Sequence, residues 1–499
     1  MRNDGVICAV EHPKGSIEDS EIKNCLHNFL SSLDDKQLSP VNKILLLPPD
    51  FTRYHSQAGK ITQFIVDYFI NHQPKLRSDD KKKQVEITIL PALGTHAPMT
   101  KEQMSVMFGD ELVSGEKIFL GDVKVDFLVH NWREDVVTIG HVPAKLVRDA
   151  TDGLLDVRWP AQLNRKVWEG GHDLVLSIGQ VVPHEVMGMA NFNKNLFVGC
   201  GGVEAINLSH FIGAVHGMER MMGKADNPLR DILNYASEHF LQKKLPLFYI
   251  LTVVALNDVS NEVEVKGFYI GNDIECYKMA CELSLNVNFT MVERPLSKVV
   301  CLLDPDEFHS TWLGNKAIYR TRMAIEDGGH LIVLAPGVKQ FGEDETVDKL
   351  IRKYGYIGTE KIMKLMNESH ELQQNLSAVA HLIHGSSEGR FKITYCCKDS
   401  KLSREEVEAV GFEYANFEDM WRRYKPETLQ EGWNKDEDGN DLYYISNPAL
   451  GLWASKDRFN LDSNKRDKQE NIGSVTQFQT QNASDKSGGV GGWMTKFSD

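Results

Sequence analysis

The 499-residue chain carries 56 Lys and Arg against 70 Asp and Glu, a formal net charge of −14 at pH 7. An acidic balance of this kind speaks against a general nucleic-acid face, which needs basic groups to displace counterions, and against docking on anionic lipid. With 41% apolar and 25% charged residues, the composition is that of a globular chain long enough for two to four domains at roughly 150 residues each. No run approaches the roughly 20 apolar residues of a membrane-spanning helix. The apolar stretch 6–10 is too short for a signal peptide, and the eight cysteines form no C-x-x-C pair. A cytoplasmic protein with reduced thiols and neither membrane nor nucleic-acid partners is expected.

In chain order, Lys43–Leu47 is the first short apolar run with the look of a buried strand. Behind it Ile61, Phe64, Ile65, Tyr68 and Phe69 recur with the spacing of one helix face. The segment 75–83 (KLRSDDKKK) reads as a solvated loop before the next strand, 85–90. Thr100 and Gln103 form a capping-box pattern that opens a helix. Further strand candidates are 174–178, 247–255, 299–303 and 331–334. Asn227 followed by Pro228 reads as an N-cap with proline at the first helical position. Strands alternating with helices predict an α/β fold with largely parallel sheets. The order restarts near Glu293-Arg294-Pro295, giving an N-terminal α/β domain over 1–293 and a C-terminal α/β domain over 294–461. The stretch 462–499 is polar, without apolar periodicity, and reads as a flexible tail.

Ligands of open α/β sheets bind beyond the carboxyl ends of strands. Three successive strand ends deliver polar groups there: Asp50 and Arg53, then His96, then His184. Taken singly, each reads as a salt bridge or a surface histidine; three at equivalent positions point to a shared cleft. Downstream, Lys194 lies among Asn and Gly residues, where backbone approaches a ligand closely, and His210 is expected near the start of a helix. The P-loop, a complete G-x-G-x-x-G and H-E-x-x-H are all missing. The chain is therefore not expected to be a conventional ATPase, Rossmann dehydrogenase or zincin.

The set Asp50-x-x-Arg53, Gly94-Thr95-His96, Pro183-His184, Lys194 and His210, with Trp312-Leu313-Gly314-Asn315-Lys316 further on, resembles the lactate racemase family, the nickel-pincer-nucleotide 2-hydroxyacid racemases and epimerases. The resemblance runs over most of residues 5–460 and implies two α/β domains with the active site in the cleft between them. It implies that Lys194 carries the cofactor covalently, a pyridinium-3-thioamide-5-thiocarboxylic acid mononucleotide holding nickel, and that His210 is the metal ligand. His96 and His184 are then the catalytic acid–base pair. Arg53 and Lys316 hold the substrate carboxylate, Trp312 lines the substrate site, and Asp50 and Arg53 contact the cofactor. Companion enzymes that build the cofactor are the implied partners, beside a small 2-hydroxy acid. One departure stands out: some members have Gln directly after the aromatic residue, whereas this chain has Leu313. The lost polar contact puts lactate in question and leaves a larger hydroxylated acid such as an aldonate, or a malate-like acid, among the expected substrates. Segments 75–83 and 399–444 read as additions to a minimal member. His381, His384, Ser386 and Ser387 read either as extra polar contacts or as helix-end structure. Two other readings of the residues remain: a metal-dependent hydrolase or lyase using His96, His184 and Asp50 as ligands, and a non-catalytic sugar-acid binding protein.

Overall fold

The computed structural model describes residues 5–36, 41–72, 84–113, 118–120, 122–151, 153, 155–241, 244–257, 262–449 and 451–459. The expected loop 75–83 and tail 462–499 lie outside these residues. Two large sheets dominate. The first has eight strands, in the order Val6–Glu11, Val263–Gly271, Leu247–Leu256, Leu174–Gln180, Lys43–Leu47, Val85–Ile89, Val123–Phe127, Ile118–Leu120. Its five central strands, Leu247–Leu256 through Val123–Phe127, are mutually parallel, and the outer ones are antiparallel. The second has six strands: Glu413–Asn416, Lys392–Cys397, Ile325–Ala335, Leu296–Leu302, Asp441–Ile445 and Gly432–Lys435. All of its pairings are parallel except the last.

The expected mixed α/β architecture with largely parallel sheets is therefore present, and every strand read from the sequence forms. The segment 399–444 carries no strand reading in the sequence, yet it is built into the second sheet. It supplies the strands Glu413–Asn416 and Gly432–Lys435 and most of Asp441–Ile445. Their short, mixed patterns hide them, because sheet membership there comes from pairing partners distant in sequence.

Alternation along each strand sends side chains to opposite faces. Ile44 and Leu46 enter one apolar cluster with the helices Asp19–Lys36 and Ala58–Asn71, while Leu45 and Leu47 enter another. That second cluster continues from the first sheet through Val203–His216 and Pro228–Ala236 to Val299, Cys301, Leu331 and Val333 of the second sheet. One apolar layer is thus shared by both sheets. Thr100 and Gln103 close a reciprocal capping box, and Asn227 caps a helix whose first residue is Pro228. All eight cysteines are unpaired thiols, six of them buried. No helix among the described residues is long and apolar enough to cross a membrane.

Candidate active site

The strands Leu174–Gln180, Lys43–Leu47 and Val85–Ile89 are consecutive neighbours in the first sheet. Their carboxyl ends therefore bring Asp50, His96 and the Pro183–Glu185 segment to one edge. Asp50 is buried, and its carboxylate accepts from Thr52 Oγ1 at 2.6 Å and pairs with His96 Nδ1 at 2.6 Å. Burial alone would raise this carboxyl group. The bonds and charge of His96, with Thr52 and Arg53, outweigh it and hold Asp50 below its ordinary value. A carboxylate on Nδ1 fixes the ring proton there and leaves Nε2 of the half-exposed His96 as an acceptor.

His184 is held in the opposite state. It is buried, and its Nδ1 accepts the backbone N–H groups of Val186 and Met187 at 3.1 and 3.3 Å. The neutral ring then carries its proton on Nε2. Burial depresses His184 far below the usual histidine value, with Lys194, Arg53 and Arg320 adding to the effect and Glu185 opposing it.

Lys194 sits where the chain leaves two residues in the left-handed region, Asn191 (φ 62°) and Phe192 (φ 59°), and enters the π-helical turn Asn195–Gly199. Three sets of contacts fix this loop. Asn195 Nδ2 donates at 3.0 Å to the Leu47 carbonyl and to Ser177 Oγ, tying the loop to two neighbouring strands. The buried Arg230 donates to the Met189 carbonyl at 2.8 Å, to the Asn191 carbonyl at 3.3 Å and to Asn193 Oδ1. Phe192 packs between the rings of Tyr249 and Tyr277. Behind the turn, a Cβ on Gly201 would lie 1.9 Å from the Phe197 carbonyl oxygen, so only glycine allows that approach. Burial, then Arg53, lower the Lys194 amine to about 8. At that value roughly a tenth of the amine is neutral at pH 7, against less than a thousandth for an ordinary lysine.

His210 lies midway along Val203–His216 and not near its start, because Gly202 ends the preceding turn and the helix begins directly after it. Its Nδ1 bonds the Ile206 carbonyl at 2.7 Å. That contact takes the ring proton and leaves Nε2 as a lone pair, the usual arrangement of a metal-binding imidazole. Burial lowers His210 from the usual value, keeping the ring neutral.

The second half contributes Lys316, on the helix Lys316–Thr321, with its charge near Arg53, Glu307 and Glu185; burial, then Arg53, lower it. Trp312 stacks on His381 at 4.4 Å. His381 is itself held between the Tyr319 and Tyr356 hydroxyls, 2.8 Å from each ring nitrogen. Both residues are thus engaged within the second half. Sequence reasoning did not select Glu185, His55, Arg230 or Arg320. Glu185 is the central acid, bearing on His184, Arg320 and Arg53, and these outweigh burial to keep it ionised. His55 lies beside Arg53 and Lys316, and burial with those charges pushes it to about 4. The signal for Glu185 was its place directly after His184; Arg320 is one helical turn beyond Lys316.

Residues 3–223 match the lactate racemase N-terminal domain family. Over 263 residues the chain is 25% identical to a lactate racemase of Thermoanaerobacterium thermosaccharolyticum, covering 51% of this chain and 53% of that protein. The match thus spans about half the length of that relative. A crystal structure of a Thermotoga maritima protein superposes with a TM-score of 0.72 at 24% identity, covering 90% of this chain and 100% of that one. The lactate racemase apoprotein of T. thermosaccharolyticum superposes with a TM-score of 0.60 at 15% identity, covering 86% of this chain and 92% of that one. The two likenesses establish a common fold. The chain is thus similar to lactate racemases in sequence over its matching N-terminal domain, residues 3–223, and in fold over most of its length.

Proposed function

We propose that the protein is an isomerase that inverts C2 of a 2-hydroxy acid, with Lys194 carrying a nickel-pincer nucleotide and His96 and His184 working on the substrate oxygen. The carrying observation is the arrangement around Lys194: an enclosed amine lowered to about 8, near His210, whose Nδ1 is occupied by the Ile206 carbonyl. A neutral amine is the form that can be acylated, and an imidazole with Nε2 free suits nickel. The residues therefore fit the group. Among the described residues no cluster of three His, Cys, Asp or Glu side chains can hold a metal ion. This weighs against the hydrolase or lyase reading, which needs His96, His184 and Asp50 to converge as ligands.

The cofactor, when bound, supplies a reversible acceptor for the C2 hydride. The chain supplies the rest. Arg53 and Lys316 hold the carboxylate, so a 2-oxo acid stays bound while it turns. His96, with Asp50 on Nδ1, takes the hydroxyl proton at Nε2, which makes the alcohol a competent hydride donor. For the opposite hand the oxygen would lie on the His184 side, where the neutral ring's Nε2 N–H would hydrogen-bond it, and the proton taken by His96 would return to it through solvent. The substrate is a 2-hydroxy acid, and companion enzymes must deliver the cofactor.

The test is intact-mass and metal analysis of protein from a cofactor-competent host. A nucleotide adduct with nickel is expected on the wild type and none on Lys194→Ala. An adduct retained by that variant overturns the assignment. Substrate binding without either adduct or inversion would favour the non-catalytic binder.

A further inference from the structure

Arg320 and His384 are buried, at 1% and 4% exposure, yet Nε and Nη1 of the guanidinium and Nε2 of the imidazole have no hydrogen-bond partner among the described residues. Buried donors are nearly always paired, so unpaired ones call for an explanation. Neither side chain is loosely placed. Arg320 lies one turn beyond Lys316 on the same short helix, which puts both on one face. His384 ends the helix Leu376–His384, whose terminus is held by Arg322 Nη1 donating at 3.2 Å to the carbonyls of His384 and Ser386. That helix packs along Val203–His216, the helix that carries His210.

Glu185 joins the two. Its carboxylate lies 3.9 Å from Arg320 Nη2, and its charge reaches His384. It also directly follows His184 in the chain. The trio therefore adjoins both the residues assigned to the carboxylate and those assigned to the proton. It offers an ionised acceptor, a charged donor with free N–H groups, and a neutral imidazole.

We propose that Glu185, Arg320 and His384 form a subsite for the hydroxylated tail of the substrate, so that the enzyme selects an open-chain polyhydroxy monocarboxylate. A methyl tail, as in lactate, leaves the unpaired groups unpaired. A second carboxylate, as in malate, meets Arg320 already facing Glu185 and is repelled by the latter. Hydroxyl groups both donate and accept, and adjacent ones can bridge Glu185 to Arg320 and His384. Charge balance agrees, because Glu185 offsets Arg320 and Glu307 lies 3.6 Å from Lys316, so that Arg53 and a partly offset Lys316 face a single carboxylate.

This proposal rests on the carboxylate assignment made above, but binding separates it from turnover. The experiment is isothermal titration of the full chain, produced in a cofactor-competent host, with D-gluconate, lactate and malate. A dissociation constant for gluconate on the order of tenfold or more below both others is expected. Arg320→Met and His384→Phe are each expected to cut that preference to about threefold or less. Glu185→Gln, which keeps the volume, should tighten malate relative to gluconate. Equal affinity for lactate, tightest binding of malate, or an unchanged preference in Arg320→Met and His384→Phe overturns the subsite. If those two variants do not fold, the wild-type ratio and Glu185→Gln decide. Gluconate bound without C2 inversion would remove the racemisation reading and leave the subsite. Lactate inverted with no preference for gluconate would do the reverse.

Discussion

His96 and His184 are the same residue type in two opposite proton states, set by what touches Nδ1. Asp50 makes His96 an acceptor at Nε2; two backbone N–H groups make His184 a donor there. Asp50→Asn removes the charge that fixes and strengthens the base, and we expect turnover to fall on the order of 10²–10⁴-fold with nickel still bound. Activity within about threefold of wild type would separate His96 from proton transfer. His96→Ala and His184→Ala should each lose inversion while keeping metal, which chiral separation of the product reads directly. A C2-deuterated substrate should slow the reaction if breaking that bond limits the rate, whereas solvent deuterium accumulating at C2 would indicate proton abstraction. The positions of Asp50, His96 and His184 were readable from the sequence because each follows a short apolar run, and strand ends converge in parallel sheets. Their proton states were not, since that of His96 depends on Asp50 meeting it from another strand end and that of His184 on backbone N–H groups whose direction only the folded loop defines. Glu185 was passed over because a lone acid beside a histidine carries no pattern of its own.

At the scale of elements, the loop 189–195 is the part that evolution of a sequence pattern conceals best. Nothing in Asn191-Phe192-Asn193 announces two left-handed residues, and the buried Arg230 that pins them comes 36 positions after Lys194. Arg230 has no acidic partner among the contacts that hold it; its charge is spread over the oxygens of Met189, Asn191, Asn193 and Tyr277 and the face of the Tyr277 ring. Arg230→Met would remove the Arg230 donor from the Asn191 carbonyl and Asn193 Oδ1 and leave the Met189 carbonyl only its 3.3 Å bond from the Tyr277 hydroxyl. We expect a loss of about 3 kcal/mol or more in urea unfolding, and an unchanged midpoint would show the network to be dispensable. By contrast, the helices Lys101–Phe108 and Pro228–Ala236 were legible to their first residues, because capping is a local matter of one side chain and the next few N–H groups. The strands from 413 onward were not, because pairing with Lys392–Cys397 and Leu296–Leu302 is a property of the whole sheet.

For the whole molecule, the histidines set the response to acid. Burial pushes His381 and His384 to about 3. An unfolded chain takes up these protons below roughly 6.5, whereas the folded one does not until much lower. Unfolding therefore binds protons across that window, and stability falls as pH drops from about 6.5 towards 3. Each residue should contribute a loss of about 2 kcal/mol between pH 7 and 5. The ionised carboxylates Asp50 and Glu185 are held below their ordinary values and add nothing there; their loss begins at more acidic pH. Urea midpoints at pH 7 and 5 measure the sum, and equal midpoints would mean that these rings are protonated in the native protein. The two halves are also stapled at Glu219, which meets Arg322 at 3.1 Å and Arg390 at 3.0 Å. The shared apolar layer has a further result for anyone who cuts the chain near residue 293. Each piece would keep a small interior of its own but also one bare wall of a slab whose other wall left with its sibling. Such fragments should clump through that wall when made separately and stay dispersed on being mixed, and heating the intact protein should melt everything in one step.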